Sequence, residues 1–60
     1  MNLDTVLSLI AFEDGNLDDE GTLSLFQDLV NSGLAWNLQE SYGTLADRMI
    51  QEGLITAPAQ

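Results

Sequence analysis

Three glycines, at positions 15, 33 and 53, close three apolar stretches of helical spacing, and that punctuation constrains the fold more than anything else in the chain. Glycine adopts the left-handed conformation that ends a helix without the steric cost of a Cβ. In the first stretch Leu3, Val6, Leu7 and Ile10 fall on one stripe, widened by Leu9 and Phe12. They do not alternate as a strand requires, so the spacing predicts a helix from Asn2 or Asp4 to Phe12, with one of those two residues as its cap. The second helix is expected from Asp18 or Asp19 to about Ser32. Leu23, Phe26, Leu29 and Val30 face inwards and Leu25 lies on the flank. The third runs roughly from Ser41 to Glu52, with a possible extra turn at Leu34–Leu38 before it.

The junction Glu13–Gly21, EDGNLDDEG, joins the first two helices. Its acids Asp18, Asp19 and Glu20 belong at a helix start, where they face the positive end of the dipole. Gly21 costs ~0.5–1 kcal/mol relative to Ala inside a helix, which places the boundary a residue or two later. Gly33 with Leu34, and Gly53 with Leu54, share one ending pattern. LFQDLVNSGLAW and LADRMIQEGLIT align at an offset of twenty residues, with only the first leucine and the Gly-Leu pair identical. That is common helix-ending chemistry rather than duplication. Thr56–Gln60, containing Pro58, is expected to fray. The chain thus reads as one all-α domain of three helices with short connections over residues 1–57, with 58–60 as a flexible tail.

Sixty residues with neither Cys nor His exclude disulfides and the usual zinc or haem ligands. Below roughly 70–80 residues a single core seldom supplies more than ~3–5 kcal/mol without such staples. Hydrophobic residues make up 45% of the chain, too many for a disordered acidic tail. The apolar face of the first helix is too wide to hide in so small a monomer, so a homo-oligomer is expected.

Ten acids against one arginine and no lysine give a net charge of −9. Binding to nucleic acid rests on Lys and Arg contacts to phosphate, and an anionic membrane is disfavoured for the same reason. Two helices around a short turn resemble a helix-turn-helix, but this charge does not suit DNA reading. A basic protein surface is the electrostatic complement, although acids also keep an apolar-rich domain in solution. Val6–Phe12 lacks the basic flank and cleavage site of a leader and is far short of the ~20 residues of a membrane span. A soluble, intracellular protein is expected.

No residue set suits catalysis. The commonest bases and nucleophiles are missing, Ser32 and Ser41 have no activating partner, and no glycine-rich phosphate loop is present. No cofactor is expected. As a calcium loop starting at Asn16, the junction offers Asn16, Asp18, Glu20, Gly21 and then Gln27 at position 12, where a bidentate carboxylate belongs. Starting at Asp14 puts Asp19 at the glycine position and Leu25 at the twelfth. An acid-rich helix start explains the same residues, and no dedicated metal site is expected. Trp36 and Tyr42 flank the turn before the third helix, where they either cover the core or anchor an interface. Arg48 is expected to pair with an acid such as Asp28 or Glu52.

The run Leu25-Phe26-Gln27, Ser32-Gly33-Leu34-Ala35-Trp36, Leu38-Gln39 and Ser41-Tyr42-Gly43 resembles a motif of short uncharacterised proteins of tailed bacteriophages. Ala11-Phe12-Glu13-Asp14-Gly15 and Gly53-Leu54 are similar to that family as well. Glu40 stands where the family usually has glycine, and Thr44 where it often has arginine. The resemblance implies a phage product made in the host bacterial cytoplasm and brings no catalytic residues. By analogy of size, origin and charge, the expected function is a non-enzymatic protein that engages or inhibits a host defence or nucleic-acid-handling protein, in one form as a DNA mimic. Its expected interaction residues are Trp36, Tyr42, Glu40, Arg48, Asp18, Asp19 and Glu20. Alternatives are a protein that sequesters a nucleotide signal in a pocket between subunits around Trp36, Tyr42 and Arg48, or a structural accessory of the virion or its assembly.

Overall fold

Asp18 determines where the second helix begins. In a computed structural model, which describes residues 3–57, its backbone is extended and its Oδ1 accepts from the Gly21 N–H at 2.7 Å. Helix α2 therefore spans Asp19–Ser32, following α1 at Leu3–Glu13 and preceding a 3₁₀ turn at Leu34–Trp36 and α3 at Glu40–Gln51. All three predicted helices are present, and no strand occurs among the described residues.

Gly21 does not delay α2. A Cβ there would lie 2.8 Å from Leu17 Cδ1 and 2.9 Å from Asp18 Oδ1. The missing side chain leaves room for the cap and for Leu17 to fold back over the first turn. The propensity cost is accepted because the cap geometry needs the space. At the start of α1, Asp4 lies inside the first turn rather than capping it. Asn2, the other proposed cap, is outside the described residues.

Gly15, Gly33 and Gly53 all take positive φ, 75°, 80° and 77°. After α1, Asn16 N–H donates to Ala11 O at 2.8 Å and Gly15 N–H to Phe12 O at 3.1 Å. After α3, Leu54 N–H donates to Met49 O at 2.9 Å and Gly53 N–H to Ile50 O at 3.1 Å. Both are the paired bonds of a Schellman stop. At the end of α2, Gly33 N–H donates to Val30 O, but Leu34 N–H turns to the Ser32 hydroxyl and the chain enters the 3₁₀ turn.

The core comprises Leu25, Phe26, Leu29 and Val30 of α2, Ala35, then Tyr42, Ala46 and Met49 of α3, and Ile55. Leu25, expected on the flank, is buried, whereas Leu23 is half-buried at the rim. Phe12, Phe26 and Tyr42 join the three helices through ring contacts at 5.4–5.9 Å, with Phe12 and Phe26 edge to face. The segment after α3 does not fray at Thr56. Ile55 is buried, and the Gln27 amide accepts from Thr56 N–H at 2.8 Å and donates to Thr56 O at 3.0 Å. Residues 58–60 of the expected tail are outside the described residues.

The apolar face of α1, expected to be too wide for so small a monomer to hide, is divided by the fold. Its inward side is Thr5, Leu9 and Phe12. The stripe Leu3, Val6, Leu7 and Ile10 points away from the core: Leu3 is 70% exposed, Leu7 55%, Ile10 53% and Val6 37%. Periodicity reads these residues as one wide face; the fold splits it, packing Leu9 and Phe12 against the core and leaving the stripe outward. Among the described residues no helix is long and apolar enough to cross a membrane.

Candidate functional site

Tyr42 and Trp36 have parted roles. The Tyr42 ring is only 7% exposed, and its hydroxyl donates to Glu13 Oε2 at 2.7 Å, tying α3 to the end of α1. Burial, then the hydrogen bond to Glu13 and the charge of that carboxylate, push the phenol up to about 12 from its usual 10.0. This pair forms the wall of a groove of about 330 Å³ that also includes Leu9, Ile10, Leu38 and Asp14. Trp36 is 44% exposed. Its indole lies over Gly43, where a Cβ would stand 3.1 Å from Cδ1, and its Nε1–H donates to Asp47 Oδ1 at 3.3 Å.

On the outer face of α3, Glu40, Ser41, Thr44, Leu45 and Arg48 border an open depression of about 540 Å³. Glu40 and Arg48, both singled out from the sequence, are thus on one face, with Thr44 between them. Glu40 is the first residue of α3, beside the positive end of its dipole, while Gln39 in the cap position makes no side-chain cap bond. Arg48 Nε sits 3.5 Å from Glu52 Oε2, the expected i,i+4 pair. Both side chains are exposed, and such a pair adds little stability. Tyr42 and Arg48 line different grooves.

The acids Asp18, Asp19 and Glu20 cluster at the exposed start of α2. Asp19 borders a groove of about 360 Å³ whose other walls are Thr22, Leu23, Met49 and the half-exposed Leu54. The sequence marked the acids but not the groove, which forms only when the end of α3 returns beside the start of α2. Its one local signal is Leu54, the residue behind a helix-ending glycine. Chemically the arrangement suits a long cationic side chain, with its aliphatic stem on the leucines and its charged head at the carboxylates. Among the described residues no group of three or more acids converges as a metal site. Gln27, at the twelfth position of the calcium-loop alignment, is committed to Thr56.

Residues 2–60 match the model of a family described as a domain of unknown function. No curated protein and no solved structure matches the chain.

Proposed function

The chain belongs to this family, DUF7417, and on that footing we propose that it is a non-enzymatic, phage-encoded binding protein that engages a basic surface of a host-cell protein. The observation that carries the reading is the acidic start of α2 beside an apolar groove. Asp19 stands at the mouth of the groove and Leu54 supplies an exposed apolar contact within it. Arg48, the chain's one Lys or Arg, is engaged by Glu52 just past the end of α3 and leaves these acids to a partner. Attraction between opposite charges speeds encounter and selects the partner, and the apolar contact holds it once docked. A host-directed inhibitor working in the bacterial cytoplasm is the sharper form of this reading, with the −9 chain imitating the charge of DNA. The resemblance of the Leu25–Gly43 motif to tailed-phage proteins supports that setting.

The test is capture from host lysate on immobilised protein at low salt, repeated with the variant Asp19→Asn, Glu20→Gln, Leu54→Ser. Asp18 is left intact because it caps α2. The wild type is expected to retain a basic protein that elutes as salt rises, with at least tenfold less retained by the variant. Capture that survives these three substitutions, or no capture at all, overturns the assignment.

A further inference from the structure

Helix α1 is apolar on two opposite sides. One side, Thr5, Leu9 and Phe12, faces the core, and the other, Leu3, Val6, Leu7 and Ile10, meets no part of its own fold closely enough to be buried. A helix with apolar residues on two sides can pack against two surfaces. The four exposed side chains leave on the order of 400 Å² of contiguous apolar surface, within the ~300–600 Å² of the largest patch on a typical monomer, which is often functional.

We propose that this face is covered by a second copy of the same chain, packed antiparallel through α1 to form a two-fold symmetric dimer. Three observations select this occupant and orientation. The stripe contains no charge along its length, so nothing in its middle asks for a cationic partner. At 3.6 residues per turn, Asp4 lies about 110° around the helix from it. The acidic groove at the start of α2, where a basic partner is proposed, shares no residue with it. The acids at the end of α1 then fix the direction. Glu13 closes the helix, Asp14 follows with its N–H still donating to Ile10 O at 3.0 Å, and no basic residue offsets them in the last turn. Both sit at the negative end of the α1 dipole, an unfavourable place.

In an antiparallel pair with Leu3 of one copy opposite Ile10 of the other, the two-fold axis passes between Val6 and Leu7. Glu13 and Asp14 of each copy then approach the positive end of the other's α1. A parallel pair would instead stack these acids against their own counterparts. Burying both stripes and their margins removes roughly 1,000 Å² in total, the range of weak, exchanging dimers. Each copy brings a charge of −9, so salt strengthens the association by screening.

Sedimentation equilibrium is the first measurement. Wild-type protein is expected to shift from the 6.5 kDa monomer to twice that mass over micromolar to millimolar concentration, at lower concentration as salt is raised. The double variant Leu7→Gln, Ile10→Gln, which changes only outward residues to a good helix former, is expected to stay monomeric. Its helical circular dichroism should be unchanged, showing that the fold is intact. Orientation is read by thiol cross-linking, since the chain has no cysteine of its own. Leu3→Cys mixed with Ile10→Cys is expected to cross-link through a short bis-maleimide, and Leu3→Cys alone is not. The proposal is overturned by a wild type that stays monomeric to millimolar concentration at high salt, or by a dimer the double variant leaves unchanged. It is equally overturned by cross-linking of Leu3→Cys to itself, or by a monomer whose α1 face takes a cationic amphipathic peptide instead.

Discussion

Tyr42 couples two helices through one hydroxyl, and its ionisation reports on that coupling. Because the fold raises the phenol from 10.0 to about 12, it favours the protonated form. The associated stabilisation is therefore complete below the unfolded value of 10.0 and is lost as the pH climbs through about 12. Tyrosinate absorbance should show a midpoint near 12 that falls in Glu13→Gln but stays above 10, because burial is the leading cause and survives the substitution. A midpoint at 10 in the wild type would refute the contact. Gly43 is the complementary case. Alanine there gains up to ~1 kcal/mol of helix propensity, but its Cβ would press on Trp36 Cδ1 at 3.1 Å. Half-exposed Trp36 can yield, so Gly43→Ala should change stability by under ~1 kcal/mol while breaking the indole bond to Asp47. Tryptophan fluorescence shifted to the red, with the melting temperature nearly constant, is the expected signature. Neither partner was legible in the sequence, since Glu13 and Tyr42 are 29 residues apart, and no local pattern encodes an approach of that kind.

At the scale of single elements, capping chemistry was legible because it is local. Asp18, the glycines at 15, 33 and 53, and the short turn at Leu34 all act within about five residues of themselves. Facing was not. On α1 the inward set Leu9 and Phe12 and the outward set Leu3, Val6, Leu7 and Ile10 are equally helical in spacing, and only the placement of α2 and α3 decides between them. Leu25 was put on the flank for the same reason: a helix covered on two sides buries more than one stripe. The acidic groove also went unseen, because its walls come from residues as distant as Asp19 and Leu54. Gly21 shows how the local reading can mislead. Propensity alone makes Gly21→Ala stabilising, whereas the space taken by Leu17 and the Asp18 carboxylate makes it destabilising, by ~1 kcal/mol, comparable to loss of the cap. Asp18→Ala should cost about the same, and Asp18→Asn only a few tenths, since asparagine caps as well as aspartate. Chemical denaturation of the three variants checks the order; a stabilised Gly21→Ala would mean that the cap and Leu17 rearrange freely.

For the whole molecule the governing quantity is a charge of −9 on 60 residues, with a single Lys or Arg, Arg48, which pairs with Glu52. Like charges at this density repel within the fold, so added salt should raise the melting temperature as the screening length drops from ~30 Å at 0.01 M to ~3 Å at 1 M. The same screening separates the two surfaces of the protein. At the α1 stripe, association of two copies brings like charges together over an apolar contact, and salt favours it. At the acidic start of α2, association with a basic partner rests on opposite charges, and salt weakens it. Measured on one preparation, the dimer dissociation constant should therefore fall while the partner dissociation constant rises across the same salt series. Neutralising Asp19 and Glu20 should flatten the partner's salt dependence and leave the dimer sensitive to Leu7→Gln. If both constants moved in the same direction with salt, the two faces would not be independent, and one physical surface would have to serve both bindings.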